Sequence, residues 1–284
     1  MLLGCCAPAP EEADYTAEKP IIPKDTAMTA NPSSSSQRPV MLITGGSRGI
    51  GAATAVLAGR AGYAVAINYR DNVQAAEATA SAVEAAGGEA WCIQADVASE
   101  DSIMAMFAAL DARFGRLDVL VNNAGIVDKK ARVQDMSGER LQRMFMVNTV
   151  SAFICAREAV KRMSTELGKE GGAIVNVSSA ASRLGSANQY VDYAASKGAI
   201  DVLTLGLAQE VAGAGIRVNA VRPGLIDTDI HASGGIPNRV NDLGPSVPMG
   251  RGGSPEEVAE AIMWLASDKA SYTTMSLVDV SGGR

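Results

Sequence analysis

Tyr193-Ala194-Ala195-Ser196-Lys197 sets a phenol and an ammonium four residues apart. In a helix, positions i and i+4 share one face. A free tyrosine, with a pKa of about 10, exchanges protons poorly at neutral pH. A lysine ammonium one turn away favours phenolate and is expected to lower that value. Such a phenol gives a proton to a carbonyl oxygen or takes one from an alcohol. Spacing alone does not define the pair, since Tyr15-Thr16-Ala17-Glu18-Lys19 repeats it in a proline-rich segment where no helix is expected. Context has to separate the two.

The second constellation is Thr44-Gly45-Gly46-Ser47-Arg48-Gly49-Ile50-Gly51. It falls between an apolar run and a helical pattern, where a glycine-rich turn presents the first N–H groups of a helix to phosphates. Gly45 permits the tight turn, Gly49 lets the backbone approach a pyrophosphate, and Gly51 lets helix and strand pack closely. The dinucleotide is expected to be NADP(H), with NAD(H) the lesser choice. NAD sites place a carboxylate at the end of the second strand, whereas this chain reads Ile67-Asn68-Tyr69-Arg70 with no acid before Asp71. Asn68 beside Arg48 and Arg70 suits a 2′-phosphate, which pairs well with guanidinium.

Composition narrows the remaining chemistry. With His231 as the single histidine, a His-rich metal site is excluded and no metal centre is expected. A Ser-His-Asp hydrolase would rest on that one residue. The 25 Lys and Arg against 31 Asp and Glu give a net charge of −6, which argues against nucleic acid or an anionic membrane as partner. Cys5, Cys6, Cys92 and Cys155 form no CxxC, so a reducing, cytoplasmic setting is expected. No apolar run approaches the 18 residues of a membrane span. Lys129, Lys130 and Arg132 read as a solvated loop, with contact to an acidic carrier as the alternative. His231 reads as a solvated loop residue, and Trp91 and Trp264 as core.

The elements that must position these residues follow from hydrophobic pattern. Apolar strands are predicted at 40–44, 64–69, 90–95, 117–121, 173–177, 216–221 and 276–280. Helices are predicted at 50–61, 73–86, 99–114, about 137–167 and 190–212. Strands without polar alternation, separated by helices, mean a parallel sheet buried on both faces. Ser254-Pro255-Glu256-Glu257 carries a capping box and starts a further helix. Residues 225–253, rich in Gly and Pro, read as a mobile substrate loop. Residues 1–38 read as a disordered tail ahead of one domain spanning 39–284. An aromatic content of 4% leaves the core to Ala, Val, Ile, Leu and Met.

The glycine turn, Asn122-Asn123-Ala124-Gly125, Asn148, Ser178-Ser179, Tyr193-x-x-x-Lys197 and Pro223-Gly224 occur in that order. Together they resemble the short-chain dehydrogenase/reductase family, within it the glucose dehydrogenase-like and 3-oxoacyl carrier-protein reductase-like members. The resemblance implies an α/β fold: a single Rossmann-type, doubly wound parallel sheet of seven strands in the order 3-2-1-4-5-6-7. It implies an NAD(P)-dependent oxidoreductase moving hydride between nicotinamide and a small carbonyl or alcohol substrate. Tyr193 would be the acid/base, and Lys197 would hold the nicotinamide ribose. Ser179 would bond the substrate oxygen, with Ser178 and Ser182 as alternatives, and Asn148 would keep a water in a proton relay. Asp96 and Val97 would lie beside the adenine. Asn122, Ala124 and Gly125 would line the cofactor. Ile226 and Thr228, after Pro223-Gly224, would meet the carboxamide. A homotetramer is implied too.

The chain departs from the family pattern twice. Ser179 and Tyr193 are 14 positions apart where 13 is usual, placing a one-residue insertion within 183–189. Met275 stands where a glycine usually precedes the last strand. An NAD-dependent alcohol or sugar dehydrogenase, a non-catalytic NADP sensor and a methyltransferase are the competing readings. A sensor would lack the Tyr-Lys pair, and a methyltransferase would need an acid closing the second strand.

Overall fold

The computed structural model describes residues 38–230, 234–236 and 238–284. Most of the expected tail, and His231, lie outside them. Arg38, expected at the end of that tail, is instead bonded to the domain, its guanidinium donating to Gly87 O at 2.9 Å.

Seven parallel strands form one sheet in the order β3-β2-β1-β4-β5-β6-β7. They are β1 Val40–Ile43, β2 Ala64–Tyr69, β3 Glu89–Gln94, β4 Val119–Asn122, β5 Gly172–Val177, β6 Ile216–Pro223 and β7 Leu277–Val280. The order reverses between β1 and β4, and that switch opens the crevice where ligands of such sheets bind.

The central strands feed two cores because successive side chains point to opposite faces. Val40 and Leu42 join the cluster under helices α3 (Glu100–Phe114), α5 (Ser151–Met163) and α7 (Val191–Val211). Met41 and Ile43 join the cluster under α1 (Gly49–Arg60), α2 (Val73–Ala85) and α9 (Pro255–Ala266). Burial on both faces is why the strands read as unbroken apolar runs. Aromatic bulk is scarce in both clusters, as the composition requires.

Local signals set the helix ends. Ser99 accepts from Ser102 N at the start of α3, and Gly115 closes it in the left-handed region at φ 68°. Ser254 and Glu257 form the expected capping box at the start of α9. Four expectations need correction. Strand β4 begins at Val119 rather than Leu117 and runs on to Asn122. The long helical stretch is α4 (Gly138–Phe145) and α5 joined through a π-helical turn at Met146–Val150, with Ser151 N–H reaching back to Met146 O. The substrate loop is not wholly irregular: it carries helix α8 (Arg239–Leu243), and a bridge between Ile226 and Gly253 pins its base. Trp264 is 42% exposed rather than core, because Ile262 and Leu265 already fill the inner face of α9. Trp91 is part-buried, edge-on to Phe114.

Candidate active site

The β1–α1 turn is built from backbone. Gly45 and Gly49 adopt φ of 61° and 53°, a region other residues enter at a cost. No side chain caps α1 and no acid sits in its first turn, so its first N–H groups remain available to an external anion. A Cβ on Gly51 would lie 2.5 Å from Gly45 O and 2.6 Å from Asn123 Nδ2. Asn123 locks the turn, donating from Nδ2 to Thr44 O and Gly45 O, both at 2.9 Å.

This turn opens onto a cavity of about 530 Å³. Gly45, Ser47, Arg48, Gly49, Ile50, Tyr69 and Arg70 line one end. Asp96, Val97, Ala124, Gly125, Pro223, Gly224, Ile226 and Thr228 line its walls, together with Ser179, Tyr193 and Lys197. Residues some 150 positions apart thus share one space. Room for a phosphate-bearing group, uncapped N–H groups and glycines that a Cβ would crowd fit a dinucleotide.

Two expected contacts, those of Asn122 and Asn68, need correction. Asn122 does not line the cavity. Strand β4 extends through it, so it points inward with Leu120 and donates to Asn176 Oδ1 at 2.9 Å; Asn123 faces the cavity instead. Gly51 acts only through packing. Asn68 lines the cavity, but its amide serves the turn: Oδ1 accepts from Gly45 N at 3.2 Å and Nδ2 donates to Ala95 O at 3.0 Å. Asn148, in the π turn, is 1% exposed. Its Oδ1 accepts from Ile126 N at 2.7 Å, and its Nδ2 donates to Ile126 O and Ser196 Oγ. Asn148 and Lys197 flank Gly125, each about 3.5 Å or less from where a Cβ there would sit.

The expected shift of Tyr193 also reverses. Burial pushes its phenol above 10, and the Ser179 hydroxyl bond offsets part of this. Lys197 Nζ is 5.8 Å from the ring centroid and donates to Val177 O at 2.8 Å. Burial pushes this lysine down to about 8, against the pull of Asp201. Of the three serines, Ser178 is spent on Lys197 O and Ser182 on Ser179 O; Ser179 is the one against Tyr193.

Known proteins resemble this chain in sequence and fold. The family model described as enoyl-(acyl carrier protein) reductase matches residues 45–284. An Escherichia coli protein named uncharacterized oxidoreductase YgfF is 55% identical over 245 residues, covering 86% of this chain and 99% of its own. A short-chain dehydrogenase/reductase from Serratia marcescens superposes with a TM-score of 0.78 at 35% identity, covering 87% and 98%. The chain belongs to the short-chain dehydrogenase/reductase family. It is an NAD(P)-dependent oxidoreductase acting on CH–OH groups. A 3-ketoacyl-(acyl-carrier-protein) reductase of the same family from Brucella melitensis, solved with NADH, is 33% identical with a TM-score of 0.79, covering 87% and 98%.

The two departures from the family pattern have visible counterparts. Ser186 and Asn188, within 183–189, take left-handed φ of 49° and 61°. Met275 takes φ 63°, where a glycine would rest unstrained. The sequence reading missed Tyr190 and Arg239, which also line the cavity. Tyr190 precedes Tyr193 by one helical turn and could have been found on that spacing. Arg239 had no local signal. Lys129 and Lys130, weighed for a charged partner, are exposed and away from the cavity lining.

Proposed function

We propose that this short-chain dehydrogenase/reductase is an NADPH-dependent reductase of ketones, with Tyr193 as acid/base. The observation that carries this is the convergence of Ser179, Tyr193 and Lys197 on the cavity that holds the β1–α1 turn. The nicotinamide, when bound, supplies the hydride. Tyr193 gives its proton to the carbonyl oxygen, and its raised pKa keeps that proton in place at neutral pH. Ser179 bonds the same oxygen and steadies the phenolate left behind. Lys197, positively charged below about 8, favours that phenolate and donates to the ribose. Asn148 shapes the wall from behind, holding Ile126 beside Gly125.

Choice of NADPH is supported by the end of β2. No carboxylate closes the strand, and the Arg48 and Arg70 side chains at the cavity edge are 60% and 61% exposed. Asp71 pairs with Arg70 at 2.5 Å and Asp229 lies 3.9 Å from Arg48; a 2′-phosphate competes for both cations. A cytoplasmic homotetramer is the proposed setting. Exposed Phe153 on α5 and Val202, 69% exposed on α7, support a subunit contact through those helices, and Cys92 and Cys155 are free thiols. No described helix is long and apolar enough to cross a membrane.

Absorbance of NADPH, followed with a panel of β-keto esters, acyl-CoA thioesters, sugars and quinones, tests the reading. Ketone-dependent oxidation is expected, faster with NADPH than NADH. Equal use of both cofactors removes the NADPH assignment, and no oxidation across the panel removes the reductase.

A further inference from the structure

Past Ser179 and Tyr193 the cavity continues between helix α6 (Ala181–Leu184), the start of α7 and α8. Its lining there includes Leu184, Ser186, Tyr190, Arg239 and Arg284. Both charged side chains of that set are cationic. The carboxylates of the cavity are engaged elsewhere: Asp71 with Arg70, Asp229 near Arg48, Asp96 accepting from Ala98 N, and the terminal carboxylate of Arg284 accepting from Arg183 and Ser281. Asp192, next to Tyr193, is fully buried and held by Arg140 at 2.7 Å. Asp279 faces Arg183 at 3.4 Å. Among the described residues, no carboxylate is paired with Arg239.

Arg239 is nonetheless held in place. Its Nη1 donates to Gln189 Oε1 at 3.0 Å, and its guanidinium carbon lies 5.4 Å from the Tyr190 ring centroid. Tyr190 is itself buried and donates to Gly234 O at 3.3 Å. A planar fork fixed on an aromatic face, half-buried and without an acid, is preorganised for a carboxylate or phosphate. Tyr190 immediately precedes α7 and Tyr193 lies in its first turn. The fork and the proton donor therefore face one cavity.

We propose that Arg239 anchors an anionic group of the substrate, so that the ketone reduced here carries a carboxylate or phosphate a few bonds from the reacting carbon. This rests on the reading of Tyr193 as proton donor to a carbonyl. The charge selects the substrate and Tyr193 performs the chemistry, so the two assignments separate by experiment.

The test measures kcat/KM with NADPH for 4-oxopentanoate, its methyl ester and 2-oxopropylphosphonate. Wild type, Arg239→Gln and Arg239→Lys are compared. For a probe that is not turned over, its inhibition constant against the best ketone of the panel is read instead. The wild type is expected to favour an anionic probe over the ester by about tenfold or more. Arg239→Gln collapses that ratio, mainly through KM or the inhibition constant, and Arg239→Lys keeps part of it. Whichever anion is favoured identifies the carboxylate or the phosphate as the group recognised. An unchanged ratio in Arg239→Gln, or a wild type that favours the ester, overturns the assignment. Absence of NADPH consumption with every ketone, neutral or charged, sinks the reductase reading itself.

Discussion

The two ends of the cavity are held by different parts of the chain. At the β1–α1 turn the framework is backbone: left-handed glycines, bare N–H groups and a Gly51 with no space for a Cβ. At the substrate end it is side chains from distant segments, with Arg239 lying on Tyr190 and Gln189. The first construction recognises what all dinucleotides share, a charged phosphate chain. The second, as proposed, reads what distinguishes one carbonyl compound from another. Between them sit Tyr193 and Lys197, on a helix that both ends must align.

The largest effect is expected where the two ends meet. Tyr193→Phe should retain cofactor affinity, read by fluorescence titration of NADPH, and lose about 10²- to 10⁴-fold in turnover. Turnover like the wild type would break the division of labour. The pH profile sharpens it. Lys197 is held at about 8 while Tyr193 stays protonated above 10. Reductive kcat/KM should therefore be flat near neutrality and fall as pH rises through about 8, where Lys197 loses its charge. A fall that begins only above 10 would place Tyr193, not Lys197, on that limb.

Smaller effects test each end separately. Gly51→Ala places a Cβ against rigid backbone, and overpacking of that kind costs about 1–3 kcal/mol in denaturant unfolding; an unchanged midpoint would mean that the turn yields. Arg70→Ala should raise the NADPH KM by about tenfold, as loss of one charge-assisted phosphate contact does, while leaving the NADH value alone. Equal changes for both cofactors would detach Arg70 from the 2′-phosphate. Met275→Gly is expected to stabilise by about 0.5–1 kcal/mol through relief of the left-handed strain at φ 63°, with no change in kinetics at either end.

Much of the nucleotide end was legible in sequence, because glycine spacing and strand pattern are short-range signals. The misplacements there come from strand parity. Side chains alternate faces, so one residue of error exchanges inside for outside. Asn122 and Asn123 trade places for that reason once β4 is seen to run through Asn122. Asn68 falls on the inner face with Ala66, and its amide is drawn under the turn. The substrate end was largely illegible. Arg239 is 46 residues from Tyr193 in sequence, and only the return of the 225–253 loop over α7 brings the two to one cavity.

The sequence by itself determined the parallel sheet, the glycine turn, the Tyr193-x-x-x-Lys197 pair and the family. These depend on residue type, periodicity and order along the chain. Tertiary structure decided which serine stands against Tyr193, which asparagine faces the cavity and that Arg239 joins its lining. It also decided that burial, partly offset by the Ser179 hydroxyl, raises the pKa of Tyr193. Desolvation depends on everything that surrounds a group, and spacing along a chain specifies only part of those surroundings.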